Sequence, residues 1–104
     1  MSQTIAISPL PVPSKTTYNV SAATVIKPTS GRLIKIVVIT APSAGNLTIG
    51  DSATVAGVVA ANTIVNIPFG SLLPNAPINF DWPCSNGISI SSVGTGGVYA
   101  VQYS

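Results

Sequence analysis

The chain has 104 residues, of which 46% are hydrophobic and only 6% charged, and its formal net charge is +2. That length fits one domain with room for a real core, but charged residues usually make up about 25% of a chain. The whole ionic inventory is Lys15, Lys27, Arg32 and Lys35 against Asp51 and Asp81, with no histidine and no glutamate.

This scarcity excludes most enzymology. The commonest general base and metal ligand is missing, so no Ser-His-Asp or Cys-His site can be built. One cysteine and two aspartates are too few to hold zinc. A two-carboxylate glycosidase would need Asp51 and Asp81 to converge; the first has a plainer reading at a strand end, the second as an outward strand residue. The chain is therefore read as non-enzymatic, with no catalytic residue, no metal and no cofactor. Three cations near one predicted hairpin make no electrostatic footprint, so nucleic acid is not expected as a partner. A free monomer usually keeps a charged surface. A chain that dispenses with one suits an assembly.

Met1 to Ile7 has neither a basic n-region nor a sustained apolar run, so no signal peptide or membrane anchor is expected and synthesis is placed in the cytoplasm. Pro9-Leu10-Pro11-Val12-Pro13 cannot be helical and is poor material for a central strand. Residues 1–15 are read as an extended arm, whose first thirteen residues reach roughly 40 Å at about 3.1–3.3 Å each. It is either a loose terminus or an arm laid on a neighbouring subunit, with Ile5, Ile7, Leu10 and Val12 as its apolar grip.

Residues 16–104 read as an all-β domain. Thr16 to Lys27 alternates as one strand, and Pro28 to Gly31 makes a turn into Arg32–Thr40, so the two are expected to form an antiparallel hairpin. Arg32–Thr40 is the strongest strand in the chain, dense in β-branched residues. Strict alternation puts Ile34, Ile36 and Val38 on one face and Leu33, Val37 and Ile39 on the other, with Lys35 among them. A strand apolar on both faces is covered twice, by the domain's own layers or by a neighbour. Leu33, Val37 and Ile39 are thus candidate protein-contact residues. A lysine–asparagine isopeptide bond at Lys35 would need a carboxylate in a dry core, and is not expected.

Asn46 to Gly50 is a short strand. Asp51 to Asn62 reads as a loop with one helical turn, Gly57 arguing against a longer helix. Thr63–Phe69 is a strand, and Ile78, Phe80 and Trp82 alternate with Asn79 and Asp81 as a half-buried one. Ser85-Asn86-Gly87 is a turn, Ile88–Ser91 a strand, Gly94–Gly97 a turn and Val98–Ser104 the last strand. Cys84 reads as a small buried hydrophobe. About eight short antiparallel strands with almost no helix point to a single-domain β-sandwich, jelly-roll or immunoglobulin-like. Trp82, Tyr99 and Tyr103 could stack on sugars or bases, though their strand spacing fits core or interface.

Ala23-Thr24-Val25-Ile26-Lys27, Gly31-Arg32-Leu33, Trp82-Pro83-Cys84-x-x-Gly87-Ile88, Gly94-Thr95-Gly96 and Tyr103-Ser104 form a set. As a set it resembles short proteins encoded among the structural genes of tailed bacteriophages and prophages. The resemblance implies a virion component and brings no ligand or catalytic residues. With the low charge, it leads to the expectation of a capsid decoration or cement protein on the virion surface. Such a protein would form a homo-oligomer, a trimer by preference, contacting the major capsid protein and copies of itself. The alternative is a tail, baseplate or fibre-tip module binding host glycan through Trp82, Tyr99 or Tyr103, and a third reading is a free carbohydrate-binding sandwich.

Overall fold

The computed structural model describes residues 14–104. The candidate contact residues Ile5, Ile7, Leu10 and Val12 lie outside the described residues. Among the described residues eight strands form: β1 Lys15–Val20, β2 Thr24–Lys27, β3 Gly31–Thr40, β4 Asn46–Gly50, β5 Thr63–Pro68, β6 Pro77–Cys84, β7 Ile88–Val93 and β8 Val98–Tyr103. Two single 3-10 turns, Ala60–Asn62 and Phe69–Ser71, flank β5. All pairings are antiparallel, in two four-stranded sheets of order β1-β8-β3-β6 and β2-β7-β4-β5.

The pairing is nested. β1 pairs with β8, β2 with β7, β3 with β6 and β4 with β5. The described chain is thus one long hairpin with its tip at the loop between β4 and β5. It is rolled so that β3 meets β8 and β4 meets β7. This is the topology of a jelly roll, not of an immunoglobulin sandwich, which decides between the two expected forms.

Rolling corrects the first expected hairpin. The Thr16–Lys27 run breaks at Ser21-Ala22-Ala23, and its two halves lie in different sheets. β2 and β3 do not pair; the Pro28–Gly31 turn carries the chain across the sandwich. The Asn86 and Gly94–Gly97 turns are also crossings between sheets. The second is fixed by the loop before β4: Thr95 N–H donates to Ala44 O and Ser43 N–H to Thr95 O, both at 2.9 Å. Gly94 and Gly96 hold φ of 76° and 77° there, a region open to glycine at no steric cost.

The core lies between the sheets. Leu33, Ile36 and Val38 from β3 meet Tyr99 and Val101 from β8, with Leu47, Ile49, Ile88 and Ile90 from the other sheet, all fully buried. Strict alternation cannot put Leu33, Ile36 and Val38 on one side. The register of β3 shifts between Leu33 and Lys35 against both neighbours, leaving Ile34 as an extra residue opposite β8. Such a bulge flips the parity of everything after it. Leu33 therefore faces the core and is withdrawn as a protein-contact candidate. Lys35 turns to the outer face, opposite Asn79 and Gln102, away from any dry core where an isopeptide bond could form.

Leu33→Ala leaves a cavity in this layer and should cost about 2–5 kcal/mol. Ile39→Ala, at a position 48% exposed, should stay within about 0.5 kcal/mol. Urea unfolding of the two variants checks the difference.

Candidate functional site

Among the described residues no group of three His, Cys, Asp or Glu lies together, and no helix is long and apolar enough to cross a membrane. The chemistry of the molecule is concentrated instead at the tip of the rolled hairpin. Asp51, the first residue after β4, accepts three backbone hydrogen bonds from the β6–β7 turn. Ser85 N–H donates to Oδ2 at 3.0 Å, and Asn86 and Gly87 N–H donate to Oδ1 at 2.7 and 3.3 Å. Partial burial pulls the Asp51 carboxyl upward, but the three N–H groups together outweigh it and hold the pKa below its ordinary value. The strand-end expectation for Asp51 is thereby given a purpose: it pins a loop of one sheet to a turn leaving the other.

The loop itself is built from local side-chain bonds. Ser52 Oγ donates to Thr54 O at 2.8 Å, and Thr54 Oγ1 accepts from Gly57 N–H at 3.0 Å. Asn62 Oδ1 accepts from Val59 N–H at 2.8 Å while its Nδ2 donates to Gly57 O at 2.9 Å. Thr63 Oγ1 donates to Val59 O at 2.8 Å. Ser89, fully buried in β7, donates to Ser52 O at 2.7 Å. Asp51 N–H closes the loop on Asn62 O at 2.9 Å. These short polar residues favour local turns over strand or helix. The expected loop with one helical turn is what forms, the turn being Ala60–Asn62.

An open groove of about 410 Å³ lies beside this loop, lined by Asp51, Ala61, Asn62, Thr63, Ile64 and Trp82. β5 and β6 are the outer strands of the two sheets on the same side, so the groove is the mouth of the sandwich between them. Trp82 pairs directly with buried Leu33 but stands on an edge strand, and it remains 53% exposed. Asp81 precedes it with φ of 50°, in the left-handed region uncommon for a non-glycine residue. Arg32 Nη1 braces Asp81, donating to its carbonyl at 2.9 Å and to Oδ1 at 3.0 Å. Both side chains are well exposed, so the ion pair adds little stability. Its effect is to hold the kinked backbone that presents the indole.

The three aromatic candidates do not come together. Tyr99 is fully buried, its hydroxyl donating to Val93 O at 2.8 Å. Burial pushes its phenol pKa up. It is a core residue and is withdrawn as a stacking platform. Tyr103 is half-buried against the core. Of the three, Trp82 alone is an exposed ring. Asp51, Asn62 and Thr63 are the residues that sequence reasoning missed beside it. Their signal, a run of Asp, Ser, Thr and Asn between two strands, reads equally as loop-forming. Cys84 is buried as expected; burial and the Asp51 charge raise its pKa, against one bond to Leu33 backbone. The thiol is not set up as a nucleophile.

Of the contact candidates on β3, Val37 is half-buried and Ile39 exposed. On the outer face of their sheet, Val37 pairs with Ala100 on one side and Pro77 on the other. Tyr18 lies in the β1 irregularity opposite Ala100 and is 75% exposed. Ile39 and Val98 extend this row by alternation. Thr16, Gln102, Lys35 and Asn79 form the neighbouring polar row.

Because the folded state lowers the Asp51 pKa, its contribution to stability is present above the ordinary carboxylate value of 3.8. It is lost as pH falls through the lower folded value. Asp51→Asn should destabilise by about 1 kcal/mol at neutral pH, the open position keeping it at the low end. The gap between variant and wild type should close below pH 3.8. Urea titrations at neutral and acid pH check both points.

Comparison with protein-family models, with curated proteins and with solved structures finds no match for this chain. The functional reading therefore rests on the residues and their placement.

Proposed function

We propose that this chain is a non-enzymatic structural protein of a bacteriophage virion, a capsid decoration protein that stabilises the head by packing across capsomers. One observation carries the reading. The outer face of the β1-β8-β3-β6 sheet presents Tyr18, Ala100, Val37, Pro77, Ile39 and Val98, on a chain with only four Lys/Arg and two Asp/Glu. Scattered exposed apolar residues are normal, whereas a contiguous row across four strands marks an interaction surface. The shortage of charge supports it, since little on this surface opposes burial against another protein. The phage-like motif set supports the virion context.

The mechanism is linkage. A protein that binds the assembled shell and not its dissociated parts stabilises the shell by mass action. Contacts of about 800 Å² per partner, repeated over the lattice, suffice. Neighbouring copies and the major capsid protein are the partners of this reading, with a trimer as the assembly unit.

The test is a pair of outward substitutions. Val37→Asp and Ala100→Lys place charge in the row without touching the buried layer. Each should lower occupancy on purified heads at least about tenfold, since burying an unpaired charge costs several kcal/mol. The melting temperature of the free protein should hold within a few degrees. Quantitative mass spectrometry of purified particles reads the occupancy. Fewer than about ten copies per wild-type particle would instead fit a tail position, against the repeated interfaces on which this reading depends.

A further inference from the structure

We propose that the groove beside Trp82 is a binding subsite for a single neutral pyranose ring. The groove lies at the mouth between β5 and β6, apart from the apolar row on the outer sheet face, so this inference does not depend on the assembly reading. Its volume, about 410 Å³, falls in the range of small-molecule sites, ~300–1,000 Å³.

The chemistry of its lining selects the ligand. Trp82 supplies a large apolar ring face at the rim, 53% exposed. Polar groups line it beside the ring, each held by existing hydrogen bonds and each retaining a further valence. Among the described residues Asp51 Oδ2 accepts only Ser85 N–H, leaving a lone pair. Thr63 Oγ1 spends its proton on Val59 O and keeps its acceptor capacity. Asn62 Nδ2 gives one proton to Gly57 O and keeps the other. The existing bonds hold these groups in place before any ligand arrives, which lowers the entropy cost of binding. A pyranose has a C–H face to lay on an indole and equatorial hydroxyls that both donate and accept.

Charge narrows the class. The lining holds one carboxylate and no cation, so uronic and sialic acids and nucleotide phosphates meet repulsion with nothing to offset it. Neutral hexoses and N-acetylhexosamines remain.

Trp82 is the only tryptophan, so fluorescence excited at the red edge, where tyrosine does not absorb, reports on this site alone. Titration with D-glucose, D-galactose and N-acetyl-D-glucosamine should give a saturable change for at least one sugar, with a midpoint of about 1–10 mM. Saturation-transfer NMR with that sugar should show transfer to the ring protons. Trp82→Ala should lower the transfer at least about tenfold, and Trp82→Phe should retain part of it. Circular dichroism confirms that both variants fold, as the exposure of the indole leads one to expect. Glucuronate should bind more weakly than glucose. The proposal is overturned by no saturable change with any of the three sugars up to ~100 mM, well above the millimolar range. Full transfer in Trp82→Ala, or glucuronate binding as tightly as glucose, overturns it equally.

Discussion

The extra residue in β3 sets the rest of the molecule. Without it, Leu33 would share a face with Lys35 and Val37, and the sandwich would have to expose a leucine or bury an ammonium group. Burying an unpaired charge costs far more than a bulge. With Ile34 inserted, Leu33, Ile36 and Val38 all enter the core at full burial, and Lys35 joins Gln102, Asn79 and Thr16 outside. β3 is the central strand that touches both β8 and β6, so its parity dictates theirs. Tyr99 and Val101 face in because Val38 and Ile36 do. The irregularity propagates to β6, where Leu33 pairs with Trp82 but Lys35 pairs with Asn79. The displaced residue there is Asp81, held in the left-handed region and braced by Arg32. Trp82, although paired with inward Leu33, owes its exposure to the edge position of β6.

A second constraint acts at the tip of the rolled hairpin. Nested pairing brings successive strands into opposite sheets, so most connections cross the sandwich and few are tight hairpins. The long loop after β4 has no ladder of its own. It is stabilised by short polar side chains and by the three backbone N–H groups gathered on Asp51. Of these, Asp51, Asn62 and Thr63 line the groove. Groups recruited to satisfy a loop's backbone are fixed in position, and their unused lone pairs and protons are what a ligand would meet.

The strands were legible from the sequence, because alternation, β-branching and Gly/Pro punctuation act locally. The turns at Pro28, Asn86 and Gly94 were legible as turns, and the short helical turn near Asn62 as well. What they connect was not. A turn that closes a hairpin and one that crosses between sheets use the same residues, so the Thr16–Lys27 run looked like one strand hairpinned to β3. The bulge was also invisible: Ile34 has the same β-propensity as its neighbours, and only the cost of burying Lys35 in a folded sheet singles it out. For the same reason Leu33 was read as outward. Tyr99, Tyr103 and Trp82 share strand spacing, and sequence does not say which strand is an edge. Only the edge position of β6 separates Trp82 from a core tyrosine.

The edges also bear on how such a chain could associate. A sandwich has four outer strands, and an open edge invites pairing with another chain. Here each is blunted. β1 is interrupted between Thr17 and Val20, with Asn19 at φ of 56°. β2 is four residues long and irregular before Lys27. β5 ends on Pro68, and β6 carries Pro77, the Asp81 kink and Pro83. Strand addition is discouraged on every side. Proline and positive φ cost a ladder hydrogen bond or backbone strain, and all four edges carry an interruption of some kind, so the molecule is built against open-ended sheet growth. A polypeptide this poor in charge has weak electrostatic protection from its neighbours. Blocking the edges leaves association to side chains on a face, where shape and area select the partner. That restriction is what a protein needs if it is to coat a lattice without polymerising on its own.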